Sequence, residues 1–154
     1  MHVCCTFEQN YRYRQIGEFC FADVTCINNM SVSGAHVVLT DRPVALPVLL
    51  KNVERNSVAE NVRVLELTWG QKNLDQFSPP YDVIVGADIV YIEETFDDLL
   101  MTIDQLSDDR TTVLLSCRIR YKRDERFLEL LRKRFVVNLF HQSRDVKIFS
   151  ARKL

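Results

Sequence analysis

Glycine is scarce in this chain: four in 154 residues, at Gly17, Gly34, Gly70 and Gly86. No two lie close enough to build a glycine-rich loop that cradles a phosphate or lets the backbone approach a dinucleotide. Net charge is also slight, −1 from 20 basic and 21 acidic residues. That balance argues against a general nucleic-acid binder, which works through a basic surface. No apolar run approaches the length of a membrane span. The five cysteines are odd in number and irregularly spaced, without a Cys-x-x-Cys pair. Neither a disulfide framework nor a zinc site drawn from His2, Cys4, Cys5, Cys20 and Cys26 is expected. Met1-His-Val-Cys-Cys-Thr6 has no basic stretch leading into an apolar core, so no secretory signal is expected. These features predict a reduced chain of the cytoplasm, with the nucleus as a second compartment.

What is present describes one ordinary domain. The apolar fraction is 47% and the charged fraction 27%, close to the globular average. A chain of this length buries roughly 70% of its unfolded surface and needs no staples. Charge is segregated. Glu93, Glu94, Asp97, Asp98, Asp104, Asp108 and Asp109 fall in one stretch, and Arg118, Arg120, Lys122, Arg123, Arg126, Arg132, Lys133 and Arg134 in the next. Two solvated helix faces of opposite sign account for this. An acidic rim that attracts a basic protein segment is the alternative.

Hydrophobic periodicity gives the elements. Gly34 to Thr40 reads as a strand, and Leu46, Leu49, Leu50 and Val53 follow at helical spacing. Pro47 is tolerated there only within the first helical turn. Val62 to Leu67 alternates as a second strand, and Trp69-Gly70 opens a loop running through Pro79-Pro80. Tyr81 to Ala87 and Thr111 to Cys117 are continuous apolar runs, as expected of strands buried on both faces. Between them Ile92, Phe96, Leu99, Leu100, Ile103 and Leu106 make one helical stripe, and Phe127, Leu128, Leu131 and Phe135 stripe the next helix. Residues 135–140 and 146–150 can close as an antiparallel hairpin. Strand and helix alternate and then two strands come in succession. That order predicts an α/β domain with a mostly parallel sheet, helices on both faces and one antiparallel strand at the edge.

Asp88-Ile89-Val90-Tyr91 ends one of these buried strands. Ligand chemistry in an open α/β sheet sits just past the carboxyl ends of its strands. An acid and a phenol delivered there, with Glu93 and Glu94 next, mark a candidate site. A cap for the helix that starts near Ile92 is the alternative for Asp88. Cys117, in a buried strand, reads as packing and not as a nucleophile. His36 and His141 have no visible Ser or Cys partner and receive no catalytic role.

Four separated motifs stand in a telling order: Gly34-Ala-His-Val-Val-Leu-Thr-Asp-Arg42, Glu66-Leu-Thr-Trp-Gly70, Gly86-Ala-Asp-Ile-Val-Tyr91 and Ser116-Cys-Arg-Ile-Arg-Tyr121. Over about residues 34–154 the chain resembles the seven-strand protein-lysine methyltransferases, in the branch that acts on DnaK-type heat-shock chaperones. The resemblance implies a Rossmann-like sheet, S-adenosylmethionine as methyl donor and a lysine side chain as acceptor. It implies that Asp41 accepts hydrogen bonds from the cofactor ribose, Trp69 lines the adenine pocket, and Ala87 contacts the cofactor near its strand end. It also implies that Asp88 and Tyr91 belong to the acidic-aromatic motif that shapes the lysine channel. The residue chemistry agrees. A carboxylate just after a strand can accept both ribose hydroxyls, and an indole offers a purine a flat apolar wall. A plain helix cap remains the alternative for Asp41, and core packing for Trp69. No metal, nucleic acid or membrane is implied, and a monomer is expected.

Upstream of Gly34 the resemblance stops. The family places a Gly-x-Gly loop between its first strand and first helix, and this chain has none. Residues 1–33 are therefore taken as a divergent N-terminal segment and 34–154 as the methyltransferase-like domain, with the sheet incomplete at its N-terminal strand and helix. The missing strand would lie centrally, between those at 34–40 and 81–87. Its four or five buried residues contribute roughly 8–12 kcal/mol, comparable with the roughly 5–15 kcal/mol that stabilises a whole domain. Something must replace it. Phe19 to Ile27 is the β-prone candidate, in antiparallel pairing or at an edge, because 28–33 is too short for a parallel crossover. A non-catalytic variant without competent cofactor binding is the alternative function. A nicotinamide-dependent fragment is a weaker one, since Asp41 would also suit a dinucleotide ribose but the phosphate fingerprint is missing.

Overall fold

The computed structural model describes residues 1–7, 34–55 and 59–154. Among the described residues, seven strands form one sheet: β1 (His2–Phe7), β2 (His36–Asp41), β3 (Val62–Glu66), β4 (Val83–Ala87), β5 (Thr112–Arg118), β6 (Phe135–Ser143) and β7 (Val146–Lys153). Their spatial order is β3-β2-β1-β4-β5-β7-β6. The first five in that order run parallel, and the β6–β7 hairpin joins the β5 side. Three α-helices are described: α1 (Leu46–Arg55), α2 (Phe96–Leu106) and α3 (Lys122–Arg132).

Helices cover both faces. On one, Leu49 and Val53 of α1 close over Ala35, Val37 and Leu39, with Val83, Val85 and Ala87 packed alongside. On the other, α2 and α3 lie over Val38, Ile84, Val113 and Leu115. Phe96 and Phe127 meet edge to face there, with ring centroids 5.2 Å apart. The α2 stripe of Phe96, Leu99, Leu100, Ile103 and Leu106 is entirely buried. Those five side chains contribute on the order of 10 kcal/mol of transfer energy, as an upper value. Pro47 is the second residue of α1, where a missing N–H has no consequence.

The central position between β2 and β4 is filled, and by β1. Residues 2–6 pair in parallel with 36–40, and residues 3–7 with 83–87. The strand expected over 19–27 lies outside the described residues, and the position it was expected to rescue belongs to a segment nearer the N-terminus. The physical reason is chain length. A parallel crossover needs a dozen or more residues, which 8–35 supplies and 28–33 does not. Cys4, a small apolar side chain, is fully buried at the strand's midpoint. At the amino end His2 and His36 stack, with ring centroids 5.5 Å apart.

The reversed strand is also placed differently from expectation. β7 is antiparallel to both neighbours and lies one position in, so β6 is the edge. A tight turn at Arg144, with φ of 53°, folds β7 back between β5 and β6. A bulge between Leu139 and His141 leaves Phe140 69% exposed on that edge.

Candidate active site

β2 and β3 end side by side, and their carboxyl ends build the first wall of a site. Asp41, the last residue of β2, is 2% exposed, and its Oδ1 accepts the Arg42 amide at 2.7 Å. Leu67, just past β3, donates its amide to the Asp41 carbonyl at 3.0 Å, which ties the two strand ends together. The chain then turns over Thr68–Gln71, closed by the Gln71 amide on the Thr68 carbonyl at 3.2 Å. Trp69 and Gly70 occupy the two central positions. Gly70 has φ of +81°, which the third position of a type II turn requires. A Cβ there would also lie 2.5 Å from Asp98 Oδ1.

The opposite wall comes from the segment after β4. A Cβ on Gly86 would overlap Ile89 and sit 2.9 Å from Leu115, so the missing side chain lets Ile89 fold back on the strand. Asp88 makes that reversal at φ of 55°, a left-handed conformation in which Asp is enriched. Its amide donates to the Ser116 carbonyl at 2.9 Å, while its side chain is exposed. Ile89 and Val90 are buried, Tyr91 and Ile92 half-buried, and Glu93–Thr95 form a short 3-10 turn into α2. Asp88 caps neither element, because Ile92 and Thr95 hold the capping positions.

Between these walls is a cleft of about 220 Å³, lined by Asp41, Arg42, Leu67, Thr68, Trp69, Ile92, Thr95 and Asp98. A site for a whole small molecule occupies roughly 300–1,000 Å³, so this one takes part of a ligand. Its chemistry suits a nucleoside: a carboxylate for a diol and an indole face for a base. The described residues thus fit the nucleoside end of S-adenosylmethionine.

Of the residues singled out in the sequence, Asp41 and Trp69 meet in the cleft. Ala87, Asp88 and Tyr91 do not line it. Ala87 packs with Val83 and Val85 on the α1 face, and Asp88 and Tyr91 lie on the segment that leads to Ile92. Trp69 also packs against the core under α2, so its wall and packing roles coincide. Sequence reading missed Ile92, Thr95 and Asp98 as cleft residues. By pattern Ile92 belongs to the helical stripe and Asp98 to an acidic face, and only the fold back toward β3 brings them to the cleft.

The acidic and basic stretches meet as well. Glu93 pairs with Arg126, while Asp104 pairs with Arg134 at 3.3 Å and Lys153 at 2.9 Å. Glu94, Asp97 and Asp98 remain exposed, and Asp98 lines the cleft. Below the sheet's carboxyl edge, burial pushes the Cys117 thiol up to about 11, with the Asp124 and Asp88 carboxylates adding to it. The thiol is thus no nucleophile at neutral pH.

The profile of a family described as lysine methyltransferase matches residues 24–134. The chain is 48% identical over 126 residues to protein N-lysine methyltransferase METTL21A of Mus musculus, covering 78% of this chain and 57% of that one. It is 36% identical over 124 residues to EEF1A lysine methyltransferase 3 of Xenopus tropicalis, covering 77% and 54%. The chain thus spans just over half the length of these relatives. Among solved structures it is similar to the S-adenosylmethionine-dependent methyltransferase SibL, with a TM-score of 0.66 and 14% identity over 99% of this chain and 50% of that one, a likeness of fold. With its sheet order, its motifs and these relatives together, the chain belongs to the lysine methyltransferase family.

Proposed function

We propose that this chain is an S-adenosylmethionine-dependent protein-lysine N-methyltransferase whose substrate is a heat-shock chaperone of the DnaK type. The observation that carries the reading is the cleft in which a buried carboxylate, Asp41, and the only tryptophan, Trp69, face one space at the carboxyl ends of β2 and β3. The chaperone rests on the resemblance of the four motifs, and the protein-lysine acceptor on the relatives.

Bound S-adenosylmethionine would supply a methyl group activated by its sulfonium, which leaves the protein to position and desolvate. Asp41, buried at the end of β2, would hold the ribose hydroxyls with its carboxylate. Trp69 and Leu67 exclude water from the base. The acceptor lysine must be neutral to attack, which near pH 7 costs roughly 4–5 kcal/mol from its ordinary pKa. A low-polarity approach past Tyr91 would offset part of that cost. Asp88, exposed at the rim, holds the entering ammonium until its proton passes to water. Glu94, Asp97 and Asp98, exposed on the segment that follows, would favour a lysine set in a basic segment.

Titration calorimetry with S-adenosylmethionine on the whole chain tests the reading. Micromolar binding supports it, and silence overturns it in favour of a second reading, a non-catalytic variant. One specific feature favours that variant: the sequence after β1 carries only Gly17 before Gly34 and no Gly-x-Gly.

A further inference from the structure

Thr102 lies on the buried stripe of α2 and is 2% exposed. A hydroxyl buried there must be hydrogen-bonded, and it is bonded twice. It donates to the Asp98 carbonyl at 2.8 Å, the usual bond back to the preceding helical turn. It also accepts the Gly70 amide at 2.9 Å, reaching out of the helix to the turn that carries Trp69. The Thr68–Gln71 turn closes through the Gln71 amide, which leaves the Gly70 amide for this outside acceptor. One helical turn earlier, the Asp98 side chain fills the space where Gly70 lacks a Cβ. α2 therefore grips the turn at two points, both adjoining Trp69.

We propose that Thr102 is a positioning residue for Trp69: its hydroxyl holds the Gly70 amide and so fixes the indole wall of the cleft. Its consequence for affinity rests on the reading of the cleft as a nucleoside site; its consequence for the indole does not. Because Trp69 is the only tryptophan, intrinsic fluorescence reports on that residue alone. Thr102→Val keeps the shape and removes the acceptor, whereas Thr102→Ser keeps the hydroxyl. Thr111→Val is the control, removing a buried hydroxyl that bonds the Tyr81 carbonyl at 2.7 Å, just ahead of β5 at the amino edge of the sheet.

Thr102→Val is expected to red-shift Trp69 emission, increase its quenching by acrylamide and weaken S-adenosylmethionine binding by roughly tenfold in calorimetry. Thr102→Ser should restore all three. Thr111→Val should lower the melting temperature and leave the emission unmoved. In the unaltered chain, hydrogen exchange should find the Gly70 amide protected like those of α2, a measurement that needs no variant. Unchanged emission in Thr102→Val, no rescue by serine, or a Gly70 amide exchanging like that of an unstructured peptide overturns the assignment. If the emission shifts while the unaltered chain binds no S-adenosylmethionine, the nucleoside reading fails and the positioning role stands.

Discussion

The carboxyl edge of the sheet is built in two ways. Over β2 and β3 the site residues are sunk into the fold: Asp41 is 2% exposed, Trp69 packs on the core, and a cleft lies between them. Over β4 and β5 the candidate acid Asp88 is exposed, and its place is set by a backbone reversal at φ of 55°. The first half is fixed by packing before any ligand arrives. The second is a rim whose electrostatics act on whatever approaches. That division matches the chemistry proposed, a small cofactor held inside and a protein substrate met at the surface.

The largest effect should come from the packed half. Asp41→Ala removes the carboxylate proposed to hold the ribose and is expected to weaken S-adenosylmethionine by roughly 100-fold in calorimetry. An unchanged affinity would place the nucleoside elsewhere and erase the contrast.

Alkaline pH probes the strands that carry the other half. Burial pushes Tyr81, which leads into β4, up to about 12, and Cys117 in β5 up to about 11. The folded state holds both protons more tightly than the unfolded chain, whose values are 10.0 and 9.0. Their contribution is therefore complete below about pH 9 and is lost as pH rises toward 12. Where the unfolded chain has released a proton that the fold retains, stability should fall by up to about 1.4 kcal/mol per pH unit for each group. Urea unfolding across that range measures it, and Cys117→Ala should flatten the lower part of the slope.

The rim itself is tested by comparing two acids. Asp88→Ala should lower kcat/KM for the protein substrate by about tenfold or more, and Asp97→Ala by less than about twofold. Equal losses would dissolve the distinction between a placed carboxylate and a general field. Smallest of all, Arg126→Gln breaks an exposed ion pair with Glu93 and should cost less than about 1 kcal/mol in urea unfolding.

The elements that position both halves were legible locally. The strands at 36–41, 62–66, 83–87 and 112–118 follow the apolar runs, and α2 follows its stripe. Of the candidate site residues, Asp41 and Trp69 were visible as motif residues at strand ends. Thr95 and Asp98 were not, because their neighbours in sequence say nothing of the turn that packs on them. Thr102 was hidden among apolar residues at helical spacing, where a threonine is easily read as a substitute for valine.

β1 is the sharpest case. His2-Val-Cys-Cys-Thr-Phe7 is short and carries two cysteines, so by local pattern it is a weaker strand than the β-prone stretch at 19–27. What the sequence determined alone was the alternation of strand and helix, the segregation of charge and the absence of a glycine-rich loop, since each is a property of near neighbours. The tertiary structure alone decided which segment fills the centre of the sheet, that β7 enters beside β5, and that α2 holds the Trp69 turn. Each of these is settled by hydrogen bonds between residues far apart in the chain, and such pairing leaves no local periodicity to read.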